Sequence, residues 1–215
     1  LASLTPAGRR AMIDYGVTTV IDLRAESELK GSPGPPFSDF QSTSPVGPSF
    51  ADGGDAGPTY LNLPLVDDKT AGVLNEARTM PERYMLILDR RQAALGTIFN
   101  AIAKAEGPVL FHCFAGKDRT GLVAAIMLSL SGVEPEAIGA DYAETDAQLA
   151  TRYAEWLARA APERVDGMRD ELRCPPEWML RTLGHVERKW GGVDSYLEAG
   201  GVAPANIECL KDLLA

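Results

Sequence analysis

Apolar residues follow two rhythms along this chain of 215 residues. Short unbroken runs at residues 17–23 (VTTVIDL), 60–66 (YLNLPLV) and 108–112 (PVLFH) read as strands covered on both faces, because burial on both sides removes the need for polar alternation. Other stretches repeat at helical spacing. Thr5 and Pro6 stand ahead of residues 7–15 as a hydroxyl N-cap and a proline at the first helical position, and Gly16 closes that helix. Between residues 81 and 104, Met85, Leu88, Leu95, Ile98, Phe99 and Ile102 recur at helical spacing, with residues 89–92 as a candidate break. Residues 120–130 read as an apolar helix with Gly132 at its C-cap. Residues 32–58, rich in Pro, Gly and Ser and without periodicity, read as a long loop.

Beyond Glu134 helix follows helix, punctuated at Pro162, at Cys174-Pro175-Pro176 and at the pairs Gly191-Gly192 and Gly200-Gly201. Strands separated by helical patterns predict an α/β fold with a central, mostly parallel sheet flanked by helices. The expected organisation is one domain over residues 1–215. Its α/β core runs to residue 134, a helical insertion or lid covers 135–190, and closing helices occupy 191–215. In such sheets ligands sit beyond the carboxyl ends of the strands.

Composition restricts what the chain can bind. A net charge of -9 and a pI near 4.8 argue against nucleic acid, whose binding depends on basic surface. An acidic chain that handles an anion must concentrate positive potential locally. The longest apolar run, residues 122–128, falls far short of the roughly 20 residues that cross a bilayer, so no integral membrane segment is expected. No leader pattern stands near Leu1, which points to the cytoplasm or to export without a recognisable signal. Cys113, Cys174 and Cys209 fit neither a disulfide framework nor a CxxC pair, and His112 and His185 are not spaced as zinc ligands. Neither a metal nor a cofactor is expected.

Within this frame residues 112–121 (HCFAGKDRTG) stand out. A cysteine precedes an arginine by a short glycine-containing loop that joins an apolar run to an apolar helix. A loop entering a helix aims several backbone N–H groups at one point, and the helix dipole adds about half a positive charge there. His112, Phe114, Ala115, Gly116, Lys117 and Thr120 would form the cradle, holding phosphate or another oxyanion. Arg119 can add a bidentate fork to two phosphate oxygens, a geometry lysine cannot reproduce. The same field stabilises a thiolate on Cys113, making it a nucleophile towards phosphorus, and Thr120 can donate to the sulfur as it leaves. His112 orients the loop by hydrogen bonding. This is no Walker nucleotide loop, since Asp118 stands where serine or threonine should follow the lysine.

HCFAGKDRTG carries the CX5R signature and resembles the cysteine-dependent phosphatases, most of all the bacterial tyrosine and phosphoinositide phosphatases. Residues 107–142, 20–24 (VIDLR), 83–85 (RYM) and 190–214 share that resemblance, which covers most of the chain outside residues 32–58. It implies the tyrosine phosphatase fold with a helical lid. The implied substrates are phosphotyrosine proteins, with phosphoserine, phosphothreonine and phosphoinositides as extensions. Lys117 is the feature that points towards a highly charged inositol headgroup, set against plain attraction of the dianion or a solvated side chain. Members of the family usually begin with a further segment, so an upstream strand is expected before Leu1.

Two carboxylates compete for the role of general acid. Asp118 lies in the loop, and the CxxGxDR spacing resembles the myotubularin loop, in which the aspartate at that position takes the role. Asp67 ends a stretch similar to the dual-specificity phosphatases, in which a mobile loop brings the acid, and Asp68 stands behind it. Asp22 and Arg24 read as an ion pair, Tyr142, Asp146, Arg152 and Tyr153 as lid-helix residues, His185 as a helix flank, and Cys174 and Cys209 as packing residues. The alternatives are a rhodanese-like sulfurtransferase, which also mounts cysteine on an anion-binding loop, and a phosphoinositide or phosphopeptide binding module without catalysis.

Overall fold

Thr5 and Pro6 act as their chemistry requires. In the computed structural model, which describes residues 4–31, 41–42 and 57–214, the Thr5 hydroxyl accepts from the Gly8 amide at 3.1 Å and starts α1 (Pro6–Asp14). The chain then runs through β1 (Thr19–Asp22), α2 (Glu26–Gly31), β2 (Gln41–Ser42) and β3 (Thr59–Asn62). β2 falls inside the stretch expected to be loop, most of which lies outside the described residues. Next come α3 (Asp68–Ala71), a 3-10 turn (Val73–Glu76), α4 (Met80–Arg90), α5 (Gln92–Ala103), β4 (Val109–His112) and α6 (Asp118–Leu130). The helical remainder is α7 (Pro135–Arg159), a second 3-10 turn (Pro162–Arg164), α8 (Val165–Leu172), α9 (Pro176–Trp190), α10 (Val193–Ala199) and α11 (Pro204–Asp212).

The sheet has the order β2-β3-β1-β4 and every pairing is parallel. Asp22 lies level with Asn62 on one side and His112 on the other, so β1, β3 and β4 end along one edge and their following loops emerge together. β3 stops at Asn62, four residues short of the expected end. Pro64 has no N–H to give a ladder, and the Asn62 amide donates to the Asp22 and Arg24 carbonyls at 3.0 and 2.9 Å, fixing the chain where it leaves the sheet.

α6 buries Leu122, Val123, Ala125, Ile126, Met127 and Leu130, which leaves it almost no polar face. Those residues join Ile21, Leu23, Ile98, Phe99, Met179 and Leu197 in one core, where each fully buried aliphatic side chain stabilises by about 1.5–3 kcal/mol. The expected break at residues 89–92 falls at Arg91, whose φ and ψ of −119° and 23° separate α4 from α5. From that kink the Arg91 guanidinium donates to Leu65 O at 2.9 Å and pairs with Asp67 at 2.7 Å, tying down the loop after β3. No helix among the described residues is long and apolar enough to cross a membrane.

Candidate active site

The loop after β4 turns sharply into α6. Gly116 takes φ +83°, a conformation side chains resist, and allows the backbone to fold back towards the head of the helix. One cavity of about 430 Å³ opens there, lined by Cys113, Phe114, Ala115, Lys117, Asp118 and Arg119 from the loop and helix start. Of the other expected cradle residues, His112, Gly116 and Thr120 do not line it. The opposite wall comes from α4 (Met80, Arg83, Tyr84, Ile87) and from α7 and α8 (Tyr153, Trp156, Glu171, Leu172).

Cys113 is buried at the cavity floor. Arg119 is gripped from behind by Glu28 of α2, whose carboxylate accepts from Nη1 at 2.5 Å and Nη2 at 2.8 Å, while Leu23 O accepts from Nη1 at 3.5 Å. Those contacts leave the Nε–H and one Nη2 hydrogen, the edge of the guanidinium that matches two phosphate oxygens. Burial pushes the Glu28 carboxyl up, but the hydrogen bonds from Arg119 and the Ala25 amide, with the charges of Arg119 and Arg24, together outweigh it and hold its pKa below the ordinary value. Burial likewise pulls Arg119 down, and Glu28 and Cys113 more than reverse that. Glu28 escaped the sequence reading: it is one of two acids, with Glu26, in the short stretch after VIDLR, and nothing local marks it as the partner of Arg119.

Behind the loop sits a buried charge pair. Asp22 accepts from Arg24 Nη2 at 2.6 Å and from the Tyr60 hydroxyl at 2.9 Å, as expected of a structural ion pair. Burial raises the Asp22 carboxyl, yet the Arg24 hydrogen bonds and nearby His112 leave it lowered overall. His112 Nδ1 donates to Cys113 O at 3.0 Å and so orients the loop, while its Nε2 stands 3.6 Å from Asp22. Burial dominates its titration and keeps the imidazole neutral at pH 7, against the pull of Asp22.

The two acid candidates separate clearly in space. Asp118 lines the cavity, and its Oδ1 accepts from the Tyr84 hydroxyl at 2.5 Å, with Lys117 Nζ at 3.4 Å. Tyr84 is fully buried and lies 2.7 Å from the Tyr142 hydroxyl; burial and then Asp118 push its pKa far up, so it stays a donor. Asp67, in contrast, caps α3. It accepts from the Thr70 amide at 2.8 Å and the Thr70 hydroxyl at 2.7 Å, and pairs with Arg91. The Thr70 hydroxyl is the main reason its pKa lies below the ordinary value, which keeps it a carboxylate. Its neighbours Val66 and Ala71 line the cavity and Asp67 does not.

Lys117, for which a headgroup contact stood beside plain attraction of the dianion or a solvated side chain, is only 3% exposed. Its ammonium donates to the Glu171 carbonyl of α8 and lies 5.7 Å from the Trp178 ring. Phe114 is half exposed and stacks on Trp156 of α7 at 6.1 Å, with the Arg152 guanidinium 5.0 Å from that indole. Asp146 accepts from the Cys174 amide at 3.2 Å, and burial of Cys174 raises its thiol pKa to about 11. His185 pairs with Asp89 at 2.8 Å on the flank of α9. Cys209, expected to pack inside, is exposed.

A parallel sheet whose β4 delivers a cysteine onto the head of a buried helix, with an arginine six positions on lining the same cavity, has the architecture of a cysteine-dependent phosphatase. The comparisons agree: the sequence pattern of the tyrosine phosphatase family matches residues 1–215, and the chain belongs to that family. It is 28% identical to the triple specificity protein phosphatase PtpB of Mycobacterium tuberculosis over 251 aligned positions, covering 100% of this chain and 88% of that protein. It is also 28% identical to a tyrosine-protein phosphatase of Nostoc commune over 230 positions, covering 98% of this chain and 70% of the other.

Proposed function

We propose that the chain hydrolyses phosphotyrosine monoesters through a cysteinyl-phosphate. The dianion enters the loop above Cys113, bound by the loop amides, the head of α6 and the free edge of Arg119. The thiolate attacks phosphorus; the S–P bond forms as the P–O bond to the phenol breaks, and Asp118 passes its proton to the departing phenoxide. Water then attacks the cysteinyl-phosphate and gives a proton back to the Asp118 carboxylate; the new P–O bond forms as the S–P bond breaks, the Cys113 thiolate is regenerated and phosphate leaves. The Thr120 hydroxyl, buried with no hydrogen-bond partner among the described residues, is available to the departing sulfur.

One observation carries the choice of acid: Asp118 shares the cavity with Cys113 and is held by Tyr84, while Asp67 is committed to Thr70 and Arg91. α7 and α8 act as the lid, meeting the loop through Trp156 on Phe114 and through the Glu171 carbonyl on Lys117. The triple specificity in the name of the mycobacterial relative supports phosphoserine and phosphothreonine as further substrates. The burial of Lys117 removes the residue expected to meet an inositol headgroup and favours phosphoprotein over phosphoinositide.

Phosphate release from an aryl phosphate is expected to persist in chelator and to vanish in Cys113→Ser. Asp118→Asn should slow the release about 10²- to 10⁴-fold, the usual worth of a positioned acid, with Asp67→Asn close to wild type. The opposite ranking of the two aspartates would transfer the role to Asp67, and metal-dependent turnover would sink the mechanism.

A further inference from the structure

We infer that Arg83 forms a subsite for a second anionic group on the substrate, a carboxylate or phosphate borne by the peptide beside the phosphotyrosine. This deepens the phosphatase reading and rests on it. α4 presents Met80, Arg83, Tyr84 and Ile87 to the cavity at i, i+3, i+4 and i+7 spacing, a single helical face. Three of those side chains suit an aromatic ring. The fourth is a cation immediately before the tyrosine that holds Asp118.

The cavity's other two cations are already engaged. Arg119 is gripped by Glu28, and Lys117 donates to the Glu171 carbonyl and stands 3.4 Å from Asp118. Arg83 has no side-chain hydrogen bond or ion pair among the described residues, although it is partly buried and the chain carries a net charge of -9. Asp170 and Glu171 of α8 share a second groove with Arg83 and still form no ion pair with it. A half-buried guanidinium with five donors and no partner among the described residues, on the wall of the cavity that holds Cys113, suits a carboxylate or phosphate supplied by the substrate. A peptide is favoured over a lipid surface because an acidic protein is repelled by anionic membranes, and a flexible peptide can bring its charge to Arg83 without that approach.

The test is a set of phosphotyrosine peptides identical except for the flanking residue, which is Asp, phosphoserine, Ala or Lys, assayed as kcat/KM. Wild type should prefer the acidic flanks over Ala by about tenfold, the scale of one charge-assisted contact. Arg83→Ala should bring that ratio close to one, and Arg83→Glu should reverse it in favour of Lys. A merely structural arginine would change all rates together and leave the ratio intact, which overturns the subsite. A ratio that appears only between inositol bisphosphate and monophosphate would overturn the peptide assignment. Calorimetry on Cys113→Ser, with and without Arg83→Ala, reads the same preference as binding. The subsite therefore stands or falls separately from turnover: loss of phosphate release with the binding preference retained would count against the catalytic reading alone.

Discussion

At the scale of single residues, the site depends on groups that hold other groups. Asp118 has two oxygens, and Tyr84 donates to one of them, Oδ1, leaving Oδ2 for the proton that the proposed mechanism hands to the leaving group. Tyr84→Phe removes that donor without emptying the space. Its cost should therefore appear where protonation matters: about tenfold slower release from phenyl phosphate, and little change for a strongly activated nitrophenyl ester that departs without help. Equal slowing of both esters would show that Tyr84 only supports the fold. The pair of Asp22 and Arg24 makes a separate, pH-dependent contribution. Because the folded Asp22 pKa is lowered, its stabilisation is present above the unfolded carboxylate value of about 3.9 and is lost as pH falls through the folded value. Asp22→Asn should cost about 3–5 kcal/mol in urea unfolding at pH 7, and the gap to wild type should close at pH values well below about 4. That Cys113 and Arg119 share one cavity was legible in the sequence because the loop that joins them is local, and the roles proposed for them rest on the same spacing. Glu28 and Tyr84 were not, because each meets its partner across 91 and 34 positions of sequence and leaves no local pattern.

At the scale of elements, periodicity located most of the secondary structure, the break between α4 and α5 included, while β3 ends at Asn62, four residues early, because Pro64 cannot extend a ladder. The break between α4 and α5 lacks proline and glycine, and Arg91 stabilises it through contacts to a distant loop that no helical pattern records. Asp67 read as a loop-borne acid because it follows a strand-like run; the same residue is an N-cap, a role that its neighbour Thr70 completes. α7 spans 25 residues, and its C-terminal half reaches the site through Trp156. The stack on Phe114 and the Arg152 contact are worth together roughly 1–2.5 kcal/mol. Trp156→Ala should speed amide exchange about tenfold in the last turns of α7 and in α8, with β1 and β4 unchanged. Unaltered exchange in α8 would mean that Lys117 on the Glu171 carbonyl holds α8 by itself.

At the scale of the molecule, the question is what keeps the loop's supporting helix in place. α6 packs on α7, α9, α10 and α11 as well as following β4, and α5 packs on α10 and α11. Hydrogen bonds from side chain to backbone join α4 and α5 to the C-terminal helices. Gln92 Nε2 donates to Tyr196 O at 2.9 Å, Asn100 Nδ2 to Gly201 O at 3.0 Å and the Tyr196 hydroxyl to Leu88 O at 2.9 Å. Gly96 sits at the closest approach, where an added Cβ would lie 1.9 Å from Gly200 O and 2.7 Å from its carbonyl carbon. No rotamer can relieve an overlap with backbone, so Gly96→Ala must push α5 away from the turn before α11 and strain the three hydrogen bonds together. A loss of at least about 2 kcal/mol is expected, read as a fall in Tm of about 5 °C or more. Gly167→Ala is the matched control, because its Cβ meets nothing within 4 Å on α8 and better helix propensity should leave stability unchanged or raised by up to about 1 kcal/mol. If the two alanines behave alike, α5 has room to move and the C-terminal helices are not what fixes the frame behind Cys113. If only Gly96→Ala lowers Tm, the frame behind the loop depends on a contact between residues 96 and 200 that neither stretch of sequence reveals alone.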